Sequence, residues 1–238
     1  MTIVWIILII SFASLLKGIT GFGFALVSLP LLMFWYPAKE LIPILFVCNL
    51  ISSFIIILQK KDRKLVDDNF KTLIIYAAAF TILGVMALNY ISESNLVIVL
   101  SLFLIILSLL SLLGIKYKIN LTRKTFKITG SILGFLTGFI SISGPPLALF
   151  LNASNTDNQE FREIFSWFSV ITASIALIGY GFLGLLNVNT FKMALMVLPI
   201  LFAGSYIGKR LNNKIPLVVF RKATILISLI ASVIILIK

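Results

Sequence analysis

Long apolar runs separated by short polar loops dominate this chain. Six of the runs are close to the ~20 residues that a helix needs to cross the hydrocarbon core of a bilayer. These runs are 41–58, 73–90, 96–113, 165–186, 191–207 and 217–237. The pattern predicts six membrane-spanning helices.

Two further apolar regions, 2–36 and 128–153, are interrupted by glycine and proline. As one helix, residues 2–36 would measure about 50 Å, too long for a single span. The interruptions are Lys17-Gly18-Ile19-Thr20-Gly21-Phe22-Gly23 and then Pro30 in the first region, and Thr137-Gly138-Phe139 and then Ser141-Ile142-Ser143-Gly144-Pro145-Pro146 in the second. Because glycine is flexible and proline lacks a backbone donor, we expect both regions to unwind locally.

The two interrupted regions resemble each other. Thr20-Gly21-Phe22 matches Thr137-Gly138-Phe139, and Gly84 with Leu88-Asn89 matches Gly208 with Leu211-Asn212. This order predicts an internal repeat, with halves near 1–115 and 120–238, inside a single transmembrane domain 1–238. Chance similarity between apolar segments is the alternative.

Loop charges predict the orientation of the two halves. Loops 59–71, 114–127 and 208–222 are basic and should be cytoplasmic, whereas the turns at 92–95 and 185–190 carry no Lys or Arg and should lie outside. Equivalent loops then face opposite sides of the membrane, which is the pattern of an inverted repeat.

The same charges predict that each interrupted region is a helical hairpin. Loops 114–127 and 208–222 must be joined by an even number of crossings, and spans 165–186 and 191–207 supply two. Region 128–153 therefore enters and returns on one side, either as a re-entrant hairpin or as two short spans, and region 2–36 does the same by symmetry. The first stretch has no basic n-region, so we interpret it as a retained segment and not a signal peptide.

The predicted fold is an all-α polytopic membrane protein with two inverted-topology repeats. Each repeat consists of a broken, re-entrant or spanning, helical hairpin and three transmembrane helices. The protein is expected in the cell (plasma or inner) membrane, with both termini on the outer side.

Composition supports a lipid environment and narrows the function. The chain is 60% hydrophobic and 12% charged, whereas soluble domains are about a quarter charged. The net charge of +12 sits in the loops, which argues against a nucleic-acid partner. Cys48 is the single cysteine and histidine is absent, so we predict no internal disulfide, no metal site and no cofactor. No polar catalytic pair lies within the spans, so we predict no enzyme activity.

The broken motifs resemble those of the TauE/SafE family of sulfite exporters, also called the TSUP family. That family shows a glycine-rich break followed by proline in each half, as in Gly18–Gly23 with Pro30, and a Gly-Gly-Pro-Pro-like turn followed by arginine, as in 143–146 with Arg162. The chain departs from the family pattern at Phe22, Phe24 and Ser143. The resemblance implies transport of small anions, mostly sulfite, thiosulfate or sulfoacetate-like organosulfonates, with carboxylates handled by some relatives.

Lys17 is the sharpest candidate for a binding residue. It lies about 22 Å along the first apolar segment, with no acidic residue within four positions. An isolated lysine near mid-bilayer costs about 2.5–3.5 kcal/mol on insertion scales. A bound anion beside the amides of Gly18, Gly21 and Gly23 would offset that cost. The alternative is that Lys17 extends to the membrane interface.

The hydroxyl and glycine residues of the two breaks are the second group of candidates. Unwound backbone at membrane depth is tolerated only when it is buried in protein or lines a wet cavity. Nearby hydroxyls, at Thr20, Ser28, Thr137, Ser141 and Ser143, suit an oxyanion. Close helix packing through small residues is the alternative.

Three further polar residues are weaker candidates. Arg162 could grip a sulfonate bidentately, but Glu160 and Glu163 flank it, which favours an interfacial ion pair. Asn49 and Asn152 each offer an amide donor. The predicted substrate-binding residues are Lys17, Gly18, Thr20, Gly21, Gly23, Asn49, Thr137, Gly138, Ser141, Ser143, Gly144, Pro145 and Arg162.

The sequence thus predicts a secondary carrier or facilitator that moves a small anion by alternating access. Its expected partners are the anionic solute and the lipid bilayer, and a homo-oligomer is left open. The alternative is an anion channel, or a membrane subunit of a larger transport complex.

Overall fold

The computed structural model describes residues 2–20, 23–58, 68–113, 122–153, 158–211 and 217–237. These residues form ten α-helices and no strand, as the sequence predicts. The helices are α1 (Thr2–Thr20), α2 (Phe24–Leu32), α3 (Ala38–Leu58), α4 (Asp68–Tyr90), α5 (Glu93–Leu112), α6 (Arg123–Ile140), α7 (Gly144–Ala153), α8 (Asn158–Phe182), α9 (Val188–Leu211) and α10 (Leu217–Ile237).

Each of the six predicted spans corresponds to one long helix, namely α3, α4, α5, α8, α9 and α10. Five of the six begin several residues before the apolar run, because a helix can start with a polar first turn that hydropathy does not detect. Asp68 in α4 and Glu93 in α5 are such residues, and acidic side chains are favourable at a helix N-terminus. Among the described residues, α4, α5, α8 and α9 are long and apolar enough to cross a membrane.

Both interrupted regions contain a helix break, as predicted. Each gap between the helices is shorter than the glycine- and proline-containing segment that predicted it. The helix α1 continues through Thr20, and α2 begins at Phe24. In the second region α6 continues through Ile140, and α7 begins at Gly144. The second helices have 9 and 10 residues, about 14 and 15 Å, so neither can cross the ~30 Å hydrocarbon core alone.

Pro30 does not interrupt the chain, and this expectation is wrong. It lies inside α2, which continues to Leu32, and the amide of Met33 still donates to the carbonyl of Leu29 at 3.0 Å. Proline costs a helix one backbone hydrogen bond, and the remaining bonds keep this short helix continuous.

The chain forms two compact units, and each draws on both halves of the sequence. The first unit comprises residues 1–48, 91–115 and 187–238, and the second comprises 49–90 and 116–186. The first therefore holds α1, α2, α5, α9 and α10, and the second holds α4, α6, α7 and α8, while α3 contributes to both.

In the second unit, α4 and α6 form the most extensive helix pair. Three glycines of α6, at positions 130, 134 and 138, face the backbone of Leu73, Ala77 and Thr81 in turn. Because both sets of positions advance together, the two helices are parallel. A Cβ at any of these glycines would lie less than 3.0 Å from the facing backbone, so glycine is what allows the close approach.

In the first unit, α1 and α9 form the corresponding pair. Gly18 faces the backbone of Ser205, and Gly208 faces Leu15, Gly18 and Ile19. Gly84 of α4 has the same role in the second unit, where it lies against the backbone of α6 at residues 135, 138 and 139. Gly18 is therefore the packing counterpart of Gly138. The sequence match instead aligns Gly21 with Gly138, so the two alignments differ by three residues.

In each unit, a side-chain hydroxyl also donates a hydrogen bond from one paired helix to the other. Thr81 of α4 donates to the carbonyl of Gly134 in α6 at 3.3 Å, and Ser205 of α9 donates to the carbonyl of Ser14 in α1 at 3.3 Å. Such bonds between helices contribute about 0.6 kcal/mol on average in a membrane. Small residues and interhelical hydroxyls thus hold both pairs together.

The N-terminus of α3 is capped by a side chain from another helix. The Glu93 carboxylate, at the start of α5, accepts the backbone amides of Ala38 at 2.5 Å and Lys39 at 3.2 Å. These two amides belong to the first turn, whose donors have no partner within the helix. The contact joins the two helix starts within the first unit.

The Gly134→Ala substitution tests the close packing of α4 and α6. The added methyl group would overlap the Ala77 backbone, and overpacking of this kind typically costs about 1–3 kcal/mol. We expect a clearly lower apparent melting temperature in detergent. The matched control is Gly181→Ala, whose Cβ would meet only Leu186 Cδ1 at 3.8 Å. Equal melting temperatures for the two variants would contradict the packing account.

Candidate functional site

Lys17 is buried at the break between α1 and α2. It lies in the last turn of α1, and only 3% of the residue is exposed. Its ammonium is 5.9 Å from the centroid of the Phe24 ring, the first residue of α2. This distance is within range of a cation–π interaction. The break therefore places a cation beside the start of the second, short helix.

The N-terminus of α2 has no side-chain cap. Gly23 occupies the N-cap position with φ of 96°, a left-handed conformation that suits glycine, and it makes no side-chain capping bond. Its carbonyl accepts the amide of Val27 at 3.3 Å. The predicted residue Gly21 and the side chain of Thr20 lie outside the described part of the chain.

Gly18 and Gly138 are helix-packing residues. Both lie inside their helices, so the break frees neither amide, contrary to the expectation from sequence. Each helix continues two residues beyond its glycine, to Thr20 and to Ile140. For these two positions, close packing explains the glycine through the facing backbone of Ser205 and Thr81.

Ser141 carries the break in the second unit. It has φ of 59° and is the only non-glycine residue with positive φ among those described. Such a conformation costs of order 1–3 kcal/mol and persists only where the surroundings impose it. The amide of Ser141 still donates to the carbonyl of Thr137 at 2.8 Å, so the residue closes α6 and turns the chain.

The hydroxyl of Ser141 is buried without a partner. The residue is 3% exposed, and its Oγ makes no hydrogen bond to any described group. A buried hydroxyl without a partner costs about 1–3 kcal/mol. Ser141 therefore combines a strained backbone with a donor that is still available, and such combinations are common at ligand sites.

Tyr180 of α8 satisfies the broken end of α6. Its phenol donates to the carbonyl of Gly138 at 2.5 Å, and the residue is fully buried. Since α6 ends at Ile140, the carbonyl of Gly138 lacks the amide that a continuing helix would supply. Tyr180 takes that place and holds the break within the second unit.

Other predicted hydroxyls are already engaged with their own helices. The Ser28 hydroxyl donates to the carbonyl of Phe24, and the Thr137 hydroxyl donates to the carbonyl of Leu133, both at 2.6 Å. These two groups can still accept a hydrogen bond, but their donors are used. Ser143 is buried, and its carbonyl accepts the amide of Leu147 at 2.9 Å.

The remaining predicted residues lie in regular helix. Gly144 and Pro145 open α7 and are buried, and proline suits a first turn because its missing amide would lack a partner there. Asn49 lies within α3, is half-buried, and accepts the Ser52 hydroxyl at its carbonyl at 3.1 Å. Arg162 lies in the second turn of α8, and its side chain, like that of Asn152, lies outside the described part of the structure.

Comparison with known proteins identifies the family. The model of the sulfite exporter TauE/SafE family matches residues 6–235. The chain belongs to the TauE/SafE family. No match is found among curated proteins or solved structures. TauE/SafE proteins are transporters, so this chain is a multi-pass membrane protein of a transporter family, as its apolar helices also indicate.

Sequence reasoning missed several polar residues of this TauE/SafE protein. Tyr180 was passed over inside an apolar run, although a phenol in such a run needs a partner. Ser53 and Ser169 are also buried hydroxyls without a partner among the described residues. Across those residues, no group of three or more Cys, Asp or Glu side chains is placed to hold a metal ion.

The Tyr180→Phe substitution tests the role of the phenol at the break. It leaves the Gly138 carbonyl without its donor, which should cost about 1–3 kcal/mol and lower the apparent melting temperature. The control is Tyr90→Phe, because Tyr90 is 80% exposed and should be neutral. If Tyr180→Phe and Tyr90→Phe melt alike, the phenol does not hold the break.

Proposed function

We propose that this TauE/SafE protein carries a small sulfur oxyanion or organosulfonate, such as sulfite, thiosulfate or a sulfoacetate-like anion. It works as a secondary carrier or facilitator with alternating access in the cell (plasma or inner) membrane. The observation that carries the proposal is the buried Lys17 ammonium at a helix break, in a chain of a sulfite exporter family.

Lys17 can stay charged at its buried position, as an anion site requires. A lysine at the bilayer centre costs about 2.5–3.5 kcal/mol on insertion scales. Its position in the last turn of α1 offsets part of this insertion cost, since cations near a helix C-terminus gain about 0.3–1 kcal/mol. The contact with the Phe24 ring adds up to about 2 kcal/mol when desolvated. Together they cover most of the insertion cost, so the proposal rests on the position of this cation beside the start of α2 and not on an unmet charge.

The start of α2 completes the proposed site in the first unit. Its N-cap residue, Gly23, has no side chain that could cap the first-turn amides, and Lys17 lies beside the first residue of that helix. Uncapped amides and a cation together suit an oxyanion, because charge-assisted hydrogen bonds are about twice as strong as neutral ones. The substrate would then contact Lys17 and the amides near Gly23.

The break before α7 is a separate candidate, taken within the second unit alone, and Ser141 is its proposed anion contact. Pro145 and Pro146 cannot donate from the start of α7, so this break offers fewer amides than the first. The free hydroxyl of Ser141 supplies a donor there. Tyr180 is a positioning residue, since it acts on the Gly138 carbonyl.

The inverted repeat remains part of the proposal. Its support is that α1 packs on α9 as α6 packs on α4, with glycines and hydroxyl bonds at matching positions. The helix α1 opens the first half and packs on α9, the fourth helix of the second half. Likewise α6 opens the second half and packs on α4, the fourth helix of the first half. An inverted repeat would present equivalent breaks to opposite sides of the membrane, as alternating access requires. Both termini would lie outside.

Uptake by reconstituted liposomes tests the proposal. Purified protein is inserted into liposomes, and uptake of labelled sulfite, thiosulfate, sulfoacetate and small carboxylates is compared with empty liposomes. We expect saturable uptake of at least one sulfur anion. If no anion enters faster than it enters empty liposomes, the proposed function is wrong.

The Lys17→Ala substitution tests the site itself. Loss of one charge-assisted contact of about 1.5–3 kcal/mol should raise the half-saturating anion concentration by roughly tenfold or more. Lys192→Ala is the matched control, because Lys192 is an exposed lysine of α9 and should leave the concentration unchanged. An unchanged value for Lys17→Ala would remove Lys17 from the substrate site.

A further inference from the structure

A shallow groove lies where α4 and α6 begin side by side. It has a volume of about 350 Å³ and is lined by Asp68, Asn69, Lys71, Thr72, Ile75 and Arg123. The parallel packing of the two helices brings their N-termini to the same end of the second unit. None of these residues belongs to the proposed substrate site.

Positive charge dominates the groove and its rim. Lys71 and Arg123 line it, and Lys124 and Lys127 follow on α6. The Lys71 ammonium pairs with the Asp68 carboxylate at 2.8 Å, so one positive charge is neutralised. The Lys127 ammonium lies 5.4 Å from the centroid of the Tyr76 ring, a pairing common where a helix meets the membrane interface.

The groove also has an apolar wall that continues along the helix. Ile75 lines it and is 66% exposed, and Ile82, two turns further along α4, is 53% exposed. Exposed isoleucines on a helix long and apolar enough to cross a membrane suit contact with acyl chains. A ligand that fits both parts carries an anionic group at one end and hydrocarbon at the other.

We propose that this groove binds the headgroup phosphate of an anionic phospholipid. Arg123 contacts the phosphate, the Lys71–Asp68 pair lies beside it, and the acyl chains lie against Ile75. Two features favour a lipid over a free anion: the exposed isoleucine wall, and the location of the groove where the apolar length of α4 begins. The groove shares no residue with the proposed substrate site, so the lipid proposal does not depend on the identity of the transported anion.

Native mass spectrometry of the detergent-purified chain tests this proposal. The protein is titrated with phosphatidylglycerol, with phosphatidylcholine, or with inorganic phosphate. We expect saturable retention of phosphatidylglycerol and weaker retention of phosphatidylcholine. Arg123→Gln should weaken phosphatidylglycerol binding about fivefold, since each basic residue near an anionic surface contributes of the order of 1 kcal/mol. Lys192→Gln, with the same loss of charge in α9, should bind as wild type does.

Three results would overturn the proposal. Equal retention of the two lipids would show that charge does not select the ligand. Equal losses in Arg123→Gln and Lys192→Gln would show that only net charge matters. Competition by inorganic phosphate at the lipid's own concentration would assign the groove to a free anion. If Arg123→Gln does not fold, Lys124→Gln provides the comparison, because Lys124 is the exposed residue next to Arg123 on the rim.

Discussion

Backbone carbonyls and amides that are freed where a helix ends need partners when they are buried, and this constraint governs the structure of this TauE/SafE protein. The helix α6 ends at the buried Ile140, and α1 ends at Thr20, next to the buried Ile19. Residues 141–145 are all buried, so protein and not lipid covers the second break. The phenol of Tyr180 supplies the donor that the Gly138 carbonyl would otherwise lack.

Close packing of parallel helices provides that cover. Glycines bring α6 onto the backbone of α4 and α1 onto that of α9, so α1 and α6 each lie against a long partner helix. Lipid tails are as apolar as the side chains they contact, so association in the membrane depends on such packing and on interhelical bonds. Supported in this way, the breaks can present Lys17, the uncapped start of α2 and the free Ser141 hydroxyl.

Sequence alone predicted the helices well, because a run of about 20 apolar residues is the length that a bilayer-spanning helix requires. It also located both breaks, since α2 begins directly after Gly23 and α7 begins at Gly144. It did not distinguish glycines that loosen a helix from glycines that let another helix approach, because that depends on a partner far along the chain: Gly18 and Gly138 belong to the second kind. Tyr180 was missed for the same reason, since its acceptor lies on another helix.

The central claim is that the chain binds an anion and moves it by alternating access, and counterflow tests it most directly. Liposomes containing the protein are loaded with an unlabelled sulfur anion and diluted into a trace of the same anion in labelled form. We expect transient accumulation of label above its equilibrium level, because a carrier exchanges bound anions one for one. A flux that is linear in concentration and indifferent to the internal anion would contradict the account and indicate a channel.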